Sequence, residues 1–261
     1  MPKRRPKEPL PPPLPPEERT VGQLVAETIR FYGSHFWPSL ALGIGPAAGG
    51  VGLALIPGWW RLPFALTVGA ALLTASYVAG TVLVHGVRPQ RRALATAAIA
   101  GYLVFLPVPF LNTFFVLPAV AWLALFGLVV PVILVEGDPI GRGFGRALAL
   151  ARVDYVHALG SLATLVITAF LTSTVLFFLL WEQGQAARST AAFLSLLVIS
   201  PLLFLGSALL YLDQAARELR SRPKSKPRRT RNAEVPAVDD AHRPRRSDAK
   251  GKSRPAARGE P

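Results

Sequence analysis

The residues best placed to do chemistry lie in one stretch, VEGDPIGRGFGRALALAR, residues 135–152. Two carboxylates, Glu136 and Asp138, precede Gly141, Gly143 and Gly145, which are interleaved with Arg142 and Arg146. A glycine-rich turn opening a helix can cradle phosphate through its backbone N–H groups. The detailed spacing argues against that chemistry. In the G-x-G-x-x-G frame the third glycine would fall at 146, which is Arg146, and the Gly-Lys-Ser/Thr of a P-loop is absent.

The same stretch reads better as a helix. Asp138 suits an N-cap and Pro139 a first helical position. Ile140, Phe144, Ala147, Leu148 and Ala151 then share one face at helical spacing. Arg142, Arg146 and Ala149 lie on the other, with Arg152 at its margin. The pattern predicts a cationic amphipathic helix lying on a membrane surface over about 139–154. Arg142, Arg146 and Arg152 are its candidate contacts to lipid headgroups or to a protein partner.

The elements that must position this helix follow from composition. Of 261 residues, 51% are hydrophobic and 17% charged, and mean hydropathy is +0.37. Apolar residues fall in runs of about 20, the length that crosses a bilayer. Cysteine is absent, which excludes disulfides and thiolate metal sites. No two of His35, His85, His157 and His242 are three or four apart, so no helical two-histidine metal pair exists. No cofactor is expected. The net charge of +14 sits mostly in the two terminal segments that flank the apolar block. Basic segments beside a span read as anchors to an anionic leaflet rather than as a nucleic-acid surface.

Residues 1–19 are basic and proline-rich, and residues 214–261 are rich in Arg, Lys, Pro and Ser. Both are expected to be disordered tails. Between them, Thr20 and Gln23 have capping-box spacing. Val21, Leu24, Val25, Thr28, Ile29 and Tyr32 repeat at helical intervals, predicting a second interfacial helix over about 21–33. Spans are expected at about 36–57 and 62–85. The apolar stretch 93–135 is twice the length of a span, so it reads as two spans turning at Asn112–Thr113. The last two spans are expected at about 156–181 and 190–212. Pro46, Pro131 and Pro201 are candidates for kinks, and Gly45-x-x-x-Gly49 for close helix packing. The fold class is therefore an all-α integral membrane protein with about six transmembrane helices, two interfacial helices and disordered termini.

Six spans place all but two of the 29 Lys and Arg, Arg61 and Arg188, on the side of the termini. By the positive-inside rule that side is cytoplasmic. Ionisable residues inside a bilayer usually mark transport or catalysis. Here His85, Glu136 and Asp213 all fall at predicted span ends. They suggest a helix-end polar cluster of Arg88, Glu136 and Asp213, with Arg146 or Arg217 as further partners. A faint repeat is also present: at an offset of 119, Gly22 meets Gly141, Val25 meets Phe144 and Phe36 meets Tyr155. It suggests two parallel copies of an interfacial helix followed by a hairpin.

The end of the fourth span, Pro131 to Glu136, is followed by Arg146, Leu150, Arg152 and Tyr155, and the last span closes on Tyr211-Leu212-Asp213. Over roughly residues 20–217 this resembles a bacterial group of six-span proteins related to the membrane domain of glycerophosphoryl diester phosphodiesterases. The chain departs from that pattern at Ala147, usually Ser, and at Leu212, usually a second Tyr. The resemblance implies a multi-pass protein of the bacterial plasma membrane. It does not imply the phosphodiesterase activity, because the soluble barrel and its metal ligands are absent from this sequence. The expected function is a non-enzymatic accessory or scaffold element that binds anionic lipid or a membrane-protein partner. The alternative is a transporter or permease subunit for an apolar or lipidic substrate.

Overall fold

The structure is a computed structural model that describes residues 15–86, 88–114, 116–179, 182 and 184–221. A 3₁₀ turn, Pro16–Glu18, leads into α1 (Val21–Ser34). The capping box forms: the Thr20 N–H donates to Gln23 Oε1 (2.7 Å) and the Gln23 N–H to Thr20 Oγ1 (3.4 Å). Only Leu24 and Thr28 of the apolar face are buried; Ile29 is exposed. The buried stripe of α1 is thus narrower than its hydrophobic pattern.

Six helical segments of the described residues are long and apolar enough to cross a membrane. The first, Phe36–Leu55, is built of α2 (Phe36–Ala41) and α3 (Ile44–Leu55). The second, Gly58–His85, is α4 (Gly58–Phe64), a π turn at Ala65–Gly69, and α5 (Ala70–His85). The third, Arg91–Asn112, runs through α6 (Arg91–Phe105) into α7 (Val108–Phe114). The fourth, Val116–Glu136, is α8 (Val116–Phe126) and α9 (Val129–Glu136). The amphipathic α10 (Ile140–Val153) follows. The last two spans lie in α11 (Tyr155–Leu179) and α12 (Gln185–Ser221). The long apolar stretch does divide in two, into the spans Arg91–Asn112 and Val116–Glu136, on either side of the tip expected at Asn112–Thr113. Each amphipathic helix passes into its span through one non-helical residue, His35 after α1 and Asp154 after α10.

Prolines leave backbone carbonyls without their helical donors, and other elements meet them. Pro131 has no N–H to give the Gly127 carbonyl four residues back. The buried Tyr77 hydroxyl donates to that carbonyl instead, at 2.6 Å. Pro201 likewise deprives the Leu197 carbonyl of its helical donor. Gly43, at the α2–α3 break, packs directly on that carbonyl, and a Cβ at Gly43 would overlap it. The first span therefore crosses the last at the point where proline has left a carbonyl open and glycine lets the backbones touch. At the centre, Val129 to Leu134 of α9 are buried throughout, between α5, α6 and α10.

Two boundaries differ from expectation. Helix α10 starts at Ile140 with Pro139 as its N-cap; Asp138 makes no capping bond and lies 3.6 Å from Arg142 instead. Residues 214–221, expected in the C-terminal tail, continue α12. Ala215, Ala216, Glu218, Leu219 and Arg220 are all good helix formers, and ion pairs hold their charges. At 1.5 Å per residue, the 37-residue α12 is about 55 Å long, against about 30 Å of bilayer hydrocarbon. Its last turns therefore stand beyond the apolar slab. Most of the two expected tails, residues 1–14 and 222–261, lies outside the described residues.

Candidate functional site

Alternation of six spans brings His85, Arg91, Glu136, α10, Tyr155 and the end of α12 to one end of the bundle. Here α12 acts as a central post with a different polar network on each face.

One network joins α9, α10 and α12. Arg146 Nε donates to Glu136 at 3.1 Å, and its two terminal nitrogens grip Glu218 at 2.8 and 2.6 Å. The paired bonds donated to Glu218 raise the guanidinium's proton affinity above its already high value, against a loss from burial, and Glu136 adds to the rise. The Tyr211 hydroxyl donates to Glu136 Oε1 at 3.0 Å, and its ring lies 5.4 Å from that of His85 on α5.

The other network ties the N-terminal segment to α11 and α12. The side chain of Asp213 is 0% exposed, and Arg19 Nη1 reaches its Oδ1 at 3.2 Å. His157 Nε2 lies 4.0 Å from its second oxygen. Arg217 donates to Asp154 Oδ2 and to the Arg19 carbonyl, both at 2.6 Å. Asp154 in turn caps α11 by accepting from the His157 N–H, and Gln214 donates to the Asp154 carbonyl. Arg220 pairs with Glu18 at 3.1 Å. Residues 18–19 are thus a strap across α12.

Glu136 and Asp213 do share this end, but in separate networks. Arg88 joins neither by a direct bond; it lines a cleft of about 510 Å³ with Gln90, Arg92, Glu136 and Asp138. Arg146 does not stand with Arg142 and Arg152 on an open face, because both of its edges are used inside the protein. Arg142 is 76% exposed, and Arg152 is exposed. Sequence reasoning missed Arg19, Asp154, His157, Gln214 and Glu218. The available signal was the charges Glu18 and Arg19 before the first helix and Arg217, Glu218 and Arg220 after the last apolar run, of which Glu18 pairs with Arg220.

The pairing of Asp213 with His157 invites comparison with a hydrolytic triad, since Ser161 lies one turn further along α11. Ser161 is fully buried and its hydroxyl has no hydrogen-bond partner. It offers no reachable nucleophile, and His157 faces Arg217 at 3.5 Å. Among the described residues, no group of three His, Asp or Glu side chains is placed to hold a metal. Deeper in the bundle, Tyr77, Phe105, Leu128, Phe204 and Leu210 line an apolar chamber of about 260 Å³.

The fold and this end define a multi-pass helical membrane protein. Comparison with protein-family models, with curated proteins and with solved structures finds no match to the chain.

Proposed function

We propose that the protein is a non-enzymatic accessory element of a bacterial plasma membrane that holds anionic lipid headgroups, or an acidic membrane partner, at its arginine-lined end. One observation carries the reading: α10 is pinned from beneath and open above. Gly143, Ala147, Leu150 and Ala151 are buried, and Arg146 is clamped. The opposite face, Arg142, Gly145, Ala149 and Arg152, is exposed. Positions 142 and 152 are thereby set about 15 Å apart along the helix axis at 1.5 Å per residue, with the small residues Gly145 and Ala149 between them on the exposed face. Each basic residue near an anionic leaflet contributes about 1 kcal/mol. The excess of arginine at this end supports a cytoplasmic placement of both termini by the positive-inside rule. A second reading, a permease subunit for an apolar or lipidic substrate, draws on the apolar chamber and would need a separate energy-coupling chain.

The test is lipid enrichment. Polymer discs cut around the wild-type protein should hold a higher ratio of phosphatidylglycerol to phosphatidylethanolamine than the bulk membrane. Arg142→Ala/Arg152→Ala should bring that ratio most of the way to the bulk value. Equal ratios in wild type and variant would remove α10 as the contact.

A further inference from the structure

A cleft of about 910 Å³ opens on the side of the bundle within the spans. Helix α5 forms its floor, α2 and α3 one wall, and α6 the other. Along the floor, Ala71, Ala75 and Ala79 are exposed between walls bearing Ile44, Leu94 and Tyr102. The lining is almost wholly apolar. Its few hydroxyls are largely spent: Thr74 donates to the Ala70 carbonyl at 2.7 Å and Tyr102 to the Leu66 carbonyl at 3.1 Å.

The extent of the cleft identifies its occupant. It starts at the arginine-lined end, with Pro38, Leu83 and Leu94, and stops at Gly45, Ala71 and Tyr102. Each of these last three residues lies at the midpoint of its own span, Phe36–Leu55, Gly58–His85 and Arg91–Asn112. The cleft therefore covers half the membrane. From Ala71 to Leu83 it runs about 18 Å at 1.5 Å per residue, close to half of a hydrocarbon core about 30 Å thick. That is the reach of one acyl chain in one leaflet. A partner transmembrane helix would need a seat through both leaflets.

The mouth adds a charge. Arg91 shares a helical face with Leu94, Ala98 and Tyr102, which places it at the head of the cleft. Arg91 and the neighbouring Arg88 are both exposed, without an ion-pair partner among the described residues.

We propose that this cleft is a binding site for one anionic phospholipid of the leaflet at the arginine-lined end, its acyl chain on the alanine floor and its phosphate at Arg91. The site is distinct from the α10 surface and stands without it. Because Ala75 and Ala79 face the open cleft and not the core, leucine there fills the seat without displacing a buried neighbour.

The experiment is a native mass-spectrometric titration of the full chain in detergent with dioleoyl phosphatidylglycerol, and separately with dioleoyl phosphatidylcholine. Ala75→Leu/Ala79→Leu should weaken the first bound phosphatidylglycerol about tenfold or more. Arg91→Ala should reduce the preference over phosphatidylcholine severalfold and leave the weaker, chain-driven binding. Arg142→Ala/Arg152→Ala should leave the first bound lipid in place, and matched thermal melts should show the cleft variants folded. Unchanged first-lipid affinity in the filled variant overturns the proposal, as does a cleft-dependent second polypeptide in place of lipid.

Discussion

Arg19→Ala is expected to destabilise the membrane domain by about 3 kcal/mol, the cost of breaking a buried ion pair from one side. The side chain of Asp213 is entirely enclosed, and Arg19 supplies its direct hydrogen bond at 3.2 Å. Without that guanidinium, the carboxylate keeps His157 at 4.0 Å and the charge of Arg217, whose own hydrogen bonds go to Asp154 and the Arg19 carbonyl. Arg19→Met/Asp213→Leu should recover most of the loss, because replacing a whole buried pair with apolar side chains of similar size is close to neutral. Denaturant or thermal unfolding in one detergent reads both. A loss below about 1 kcal/mol, the level of a surface pair, would mean that the strap does not hold α12.

Arg146→Ala is expected to cost about 2 kcal/mol, between the values for exposed and buried pairs, because Arg146 is 26% exposed. The substitution leaves Glu136 and Glu218 facing one another without the cation between them. Arg146→Lys should recover less than half, since a point charge cannot reproduce the paired bonds to Glu218 while also meeting Glu136. Adding Glu218→Gln to Arg146→Ala should restore part of the stability by removing one of the two like charges. The α10 reading adds a second outcome: Arg146→Ala should lower the melting temperature more than Arg142→Ala/Arg152→Ala, which should lower lipid enrichment more. The reverse ranking would return Arg146 to the lipid surface.

The spans were legible because a run of about 20 apolar residues has few other structural uses, and the capping box because its two bonds are local. The buried face of α10 was harder to read. Hydrophobicity pointed to Ile140, Phe144, Ala147, Leu148 and Ala151; Ala147 and Ala151 are buried, but the other two buried positions are Gly143 and Leu150. A Cβ at Gly143 would come within 2.7 Å of Ile133 Cγ1, so the glycine is a contact surface that a hydrophobic pattern does not register. The polar networks were less legible still. Asp213 meets Arg19 across 194 residues of sequence and Arg146 meets Glu218 across 72, so no local spacing announces either pair. Charges after Leu212 looked like the start of a solvated tail because their partners lay on elements brought near only by packing.

The most direct measurement is native mass spectrometry of the wild-type protein, extracted gently from its own membrane. The expected result is a mass above that of the chain by two or more anionic phospholipids, or by a bound membrane polypeptide, with the adducts beyond the first lipid reduced in Arg142→Ala/Arg152→Ala. A bare monomer for both proteins would contradict it.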